Sequence, residues 1–165
     1  MARANGQAAN RDVGASPHIR ALRADEVARY LGAISIVAVG AIHAQQYYDA
    51  YFSFVPTIGT LFLLSFVASG VVGATLIAPV RRLGRRVSDL ILVLAAAGGI
   101  GIAAGSLVSL LISEYRPLFG FMESGYRLAV DLTLLFDVMT TAFLGFFLLA
   151  VGPRLVSDIR HERTP

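Results

Sequence analysis

The chain has 165 residues, of which 56% are hydrophobic and only 15% charged, and its mean hydropathy is +0.67. A water-soluble domain of this length needs more polar surface than that. Cysteine is absent, which excludes disulfides, thiolate metal sites and cysteine-based redox catalysis. The pI near 9.7 would suit a nucleic-acid partner. The placement of the charges argues against one and for a lipid bilayer.

In chain order, residues 1–16 are small and polar without periodicity and read as a disordered tail. Pro17 then suits the first position of a short basic helix lying on the membrane surface, with Arg20, Arg23 and Arg29. The first span covers roughly 27–48. Thirteen residues, Tyr30–Ile42, separate Arg29 from His43, and they cover about 20 Å of a hydrocarbon core of roughly 30 Å. The helix must therefore run on past His43, Gln45 and Gln46, while Arg29 snorkels at the other end.

No charge lies between Asp49 and Arg81, a gap of 31 residues, and another 24 uncharged residues separate Asp89 from Glu114. Each gap is long enough for a span of about 20 residues. The second span is placed at roughly 56–80, opened by Pro56, and the third at roughly 88–113. The fourth runs over roughly 125–151 and is stopped by Gly152-Pro153. A polar tail, 153–165, follows the 17–152 membrane domain.

The expected fold is thus all-α, a transmembrane four-helix bundle. All fourteen basic residues are arginine, which suggests a GC-rich bacterial genome. Five lie in the N-terminal segment, four in the loop Arg81–Arg86 and three in the C-terminal tail, against only Arg116 and Arg127 in the two other connections. The positive-inside rule then places both termini in the cytoplasm of a bacterial plasma membrane. A basic leader, a short apolar stretch and small residues at Val39-Gly40-Ala41 also fit a secretory signal peptide, although a 29-residue leader is long for one. Cleavage there would leave three spans.

Small residues mark helix contacts. In the third span Ala97, Gly101, Gly105 and Ser109 recur every four residues, and Ser65, Ser69 and Gly73 repeat the pattern in the second. Such ladders let helix backbones approach closely, either inside one bundle or along a homodimer seam. Arg81, Arg82, Arg85 and Arg86 fix topology and can meet anionic lipid headgroups.

Ionisable groups inside a bilayer cost at least about 2.5 kcal/mol near a helix centre and need partners or a task. Asp131 stands four residues beyond Arg127, the spacing of an interfacial ion pair. Asp137, ten residues beyond Arg127, lies about 15 Å down the helix, near the midplane. Asp137 and His43 differ in expected depth by about 6 Å. A contact between them would either fix helix register or handle protons. No GxSxG, HExxH or Walker loop occurs, and "GGIGIAAG" lies within a span with no preceding strand. His18 and His161 lie in the charged ends, so no histidine pair for haem stands in the membrane. Neither enzymatic activity, a metal nor a cofactor is expected.

The segment "HAQQYYDAYFSFVPTIGTLFLLSFVASGVVGATL", with "VPTIGTLFLL" at Val55–Leu64, resembles small four-span integral membrane proteins of actinobacteria. The resemblance covers about a fifth of the chain and implies architecture and membrane localisation, with no activity attached. Two functions then compete. One is a non-enzymatic accessory or scaffold subunit, packing against another membrane protein through its small-residue faces or its aromatic loops. The other is a small oligomeric transporter or ligand-binding protein built on His43 and Asp137.

Overall fold

A computed structural model describes the backbone of residues 17–49, 52–119 and 128–161 and the side chains of 24–49, 52–119 and 128–155. The 1–16 segment, Arg127 and the last four residues lie outside that description. Four long helices account for nearly all of the described chain: α1 Pro17–Asp49, α2 Pro56–Ile77, α3 Arg85–Tyr115 and α4 Leu128–His161. All four are long and apolar enough to cross a membrane. The expected all-α four-helix architecture is therefore present, and its composition is that of a multi-pass membrane protein.

Two boundaries differ from the sequence expectation. The basic segment at Pro17 is continuous with the first span, so one helix runs from the charged end to Asp49. The fourth helix does not stop at Gly152-Pro153 but carries Pro153 inside it and continues to His161. Proline frees the carbonyl four residues earlier, that of Leu149. Two contacts hold the next turn in place: Leu155 is buried, and Arg154 Nη1 lies 3.2 Å from Asp25 Oδ2.

Each connection has a local cause. Val55, extended, precedes Pro56 at the first position of α2, where the missing N–H costs nothing. The helix ends ahead of Pro79, and a short 3-10 turn, Val80–Leu83, follows. Gly84 then takes φ +94°, a conformation that favours glycine, to start α3. The buried Ser88 hydroxyl lies 2.6 Å from the carbonyls of both Gly84 and Val80, tying the first turn of α3 to that loop.

Inward positions follow the seam spacing of packed helices. On α4 they are Val130, Asp137, Thr140, Leu144, Phe147, Val151 and Leu155. Large apolar side chains cover the outside instead, Leu149 among them at 79% exposure, as helices facing lipid tails require. Half of the apolar stretch of α1 is buried, against 17% for α2 and 22% for α3. The helix that carries His43 is thus the one at the centre of the packing.

Helix α1 packs against α2 and α4, and α3 packs against α4, while the α2–α3 seam is the thinnest of the four. Close approach is made by glycine. A Cβ on Gly32 would lie 2.3 Å from Leu144, one on Gly99 2.7 Å from the same side chain, and one on Gly73 2.3 Å from Val37. Gly40 sits similarly against Ser69. Of the expected ladders, Ser69 and Gly73 are therefore in helix contact, whereas a Cβ added to Gly101 or Gly105 would meet nothing within 4 Å. Ala97 and Ser109 are exposed as well. Within this bundle the α3 contact runs through Gly99, on the adjacent face.

Candidate functional site: a cleft between the second and third helices

Where α2 and α3 part, toward the end at which α1 and α3 finish, they leave a cleft of about 460 Å³. That lies within the range of small-molecule sites, roughly 300–1,000 Å³. Its walls come from all four helices and are largely apolar, with Ile42, Ile58, Phe62, Ile102 and Leu110 among them. The polar groups are few: His43 and Gln46 of α1, Ser65 of α2, Ser106, Ser109 and Ser113 of α3, and Thr133 of α4. Gly101 and Gly105 complete the α3 wall, and their missing side chains make the space.

His43 is buried, at 7% exposure. Its Nδ1 lies 2.8 Å from the carbonyl oxygen of Val39, one turn back on α1. A carbonyl only accepts, so Nδ1 carries the proton, and in the neutral ring Nε2 is a hydrogen-bond acceptor. The ring meets Phe62 edge-on at 5.1 Å between centroids, and Phe62 meets Phe52 in the same way at 5.1 Å. These contacts hold the imidazole in one orientation against the cleft.

The VPTIG stretch explains how Phe52 arrives there. Val55 N–H donates to the Phe52 carbonyl at 3.0 Å, and Gly59 N–H donates to Val55 at 2.8 Å. A Cβ on Gly59 would stand 2.5 Å from that Phe52 carbonyl oxygen. Glycine is thus what allows the short 3-10 turn Phe52–Phe54 to fold down onto the first turn of α2. Tyr47 and Tyr48, which stack edge-on at 5.0 Å, and the Gln45–Gln46 side-chain bond of 2.7 Å lie at the same end.

Asp137 is inside the bundle, at 1% exposure, but it does not line the cleft. The Ser106 hydroxyl of α3 faces its carboxyl without closing a hydrogen bond of good geometry, so both carboxyl oxygens lack a partner among the described residues. No hydrogen bond or ion pair joins Asp137 to His43 among the described residues; the histidine bonds its own helix instead. Asp131 is exposed in the first turn of α4, where a carboxylate suits the helix N-terminus. Its expected partner Arg127 lies outside the described residues.

At the opposite end the charges pair across elements. Arg81 Nη2 lies 2.7 Å from Glu26 Oε1, an exposed pair, while Asp25 is buried behind Arg154. Arg29 does not snorkel outward but is buried, its guanidinium carbon 4.5 Å from the centre of the Tyr30 ring. Arg82, Arg85 and Arg86 are exposed. Comparison with known protein families, with curated proteins and with solved structures finds no match.

Proposed function

We propose that this is a ligand-binding membrane protein whose cleft takes a neutral amphipathic molecule from the bilayer. Supporting this above all is the oriented imidazole of His43: a buried acceptor, its Nδ1 satisfied at 2.8 Å by Val39, set in the wall of an otherwise apolar cleft of about 460 Å³. Such a wall favours an apolar body with one hydroxyl donor, the serine and threonine hydroxyls offering further partners. The thin α2–α3 seam gives it a lateral way in from lipid. In this reading the arginine-rich end faces the cytoplasm of a bacterial plasma membrane, and Arg81, Arg82, Arg85 and Arg86 lie among anionic headgroups there.

Binding of a long-chain primary alcohol to the purified protein tests this, with the matching alkane as control. Replacing His43 with Phe keeps the ring and removes the acceptor. The alcohol is then expected to bind about tenfold more weakly, the worth of one hydrogen bond of about 1.4 kcal/mol, with the alkane unaffected. Equal binding of the alcohol by both proteins refutes the role given to His43.

One observation favours an accessory or scaffold role as well. Gly101 and Gly105 leave open space along α3, room for a helix of a partner or of a second copy to seat closely. A stoichiometric membrane-protein partner on copurification would support it.

A further inference from the structure

Asp137 is not alone in lacking a partner. Among the described residues the hydroxyl oxygens of Thr140 and Ser69 are likewise buried without a hydrogen bond, each residue at 0% exposure. Such groups are costly inside a bundle. Gly32 of α1 and Gly99 of α3 both abut Leu144 of α4, which sets one common level. Asp137 and Ser106 each stand seven residues nearer the cleft end, about 10 Å above it at 1.5 Å per residue. One layer of the core thus holds Ser106 and Asp137, with Thr140 one turn below Asp137 on the same inward stripe, whereas Ser69 of α2 abuts Gly40 of α1.

We propose that Asp137, with the hydroxyls of Ser106 and Thr140, forms a binding site for a dehydrated monovalent alkali cation, Na⁺ or K⁺, at the centre of the bundle. The donors are all oxygens, the ligands hard cations take. No group of three or more histidine, cysteine or acidic residues exists among the described residues to hold a transition metal. A single carboxylate balances one positive charge and leaves the buried site neutral, whereas a divalent ion would leave an uncompensated charge in a low-dielectric core. A proton on Asp137 would also balance the charge, but it would leave the Thr140 oxygen unsatisfied. Ser106 lines the cleft as well, so the ion has a path from the cleft to the carboxylate. The site stands whatever the cleft itself binds.

Thermal unfolding of the full chain in detergent, in sodium, potassium or choline chloride at equal ionic strength, is the test. The melting temperature is expected to be higher in Na⁺ or K⁺ than in choline and to rise with the logarithm of the concentration of the ion that binds, as for any ligand of the native state alone. Asp137→Asn should melt at one temperature in all three salts. Ser106→Ala keeps the carboxylate and should raise the cation concentration for half the shift by about tenfold, which serves if the Asp137 variant does not fold. Equal melting of the unaltered protein in all three salts overturns the proposal. So does a cation response that survives unchanged in Asp137→Asn or in Ser106→Ala.

Discussion

Replacing Gly32 with alanine should destabilise the bundle, and the same change at Gly105 should not. A Cβ on Gly32 would stand 2.3 Å from Leu144 Cδ2 and 2.7 Å from its Cγ, where carbon atoms prefer about 3.5–4.0 Å. More than an ångström of overlap must therefore be relieved. Leu144 cannot simply swing aside: it is fully buried and already within 2.7 Å of where a Gly99 Cβ would be. Overpacking of this kind costs about 1–3 kcal/mol, offset by up to about 1 kcal/mol of helix propensity gained over glycine. The net expectation is a loss of about 1–2 kcal/mol at Gly32. At Gly105 nothing lies within 4 Å, so only the propensity gain remains. The chain has neither Trp nor Cys, so circular dichroism at the helix bands in detergent is the suitable assay. Equal destabilisation by the two variants would refute the placement of α3 and make Gly105 a packing residue.

Gly59→Ala should detach the short turn at Phe52 from α2, because the added carbon would meet a backbone oxygen at 2.5 Å; a fall of about 1–3 kcal/mol together with weakened alcohol binding is expected from melting and binding assays. Arg154→Ala leaves the carboxylate of Asp25, a residue only 5% exposed, without its 3.2 Å partner, and should cost about 1–3 kcal/mol, recovered in Arg154→Ala/Asp25→Asn. Intact mass of the purified protein should include residues 1–41, and a product beginning near His43 would support a cleaved leader instead. A C-terminal reporter active only in the cytoplasm should be active, and silence would reverse the assigned orientation.

Helix number and approximate spans are legible in the sequence because charge-free stretches of bilayer length leave few alternatives. The depths of His43 and Asp137 along their helices follow from the same counting, since a fixed rise per residue converts sequence separation into depth. Facing direction is not legible. Gly101 and Gly105 form a regular ladder in sequence, yet the contact is made by Gly99, because which stripe of α3 turns inward depends on where α4 places Leu144. Counting along the chain puts His43 and Asp137 about 6 Å apart in depth, and the register through Gly32 and Leu144 gives the same offset. They do not bond, because His43 finds a carbonyl on its own helix. Thr140 could be found from its spacing, three residues after Asp137 on one stripe. Ser106 could not, because nothing local in α3 marks it as the residue opposite the carboxyl. The continuation of α4 past Pro153 depends on Arg154 meeting Asp25, a contact spanning almost the whole chain.

The central claim is that the cleft between α2 and α3 holds a small amphipathic molecule, and native mass spectrometry of the protein released from its own membrane tests it most directly. A Cβ at Gly105 meets nothing within 4 Å, so Gly105→Leu would place a side chain in the open space of the cleft. The unaltered protein should retain a small amphipathic adduct, and Gly105→Leu should lose it while melting at about the same temperature. An adduct retained equally by both proteins, or none in either, would contradict the account.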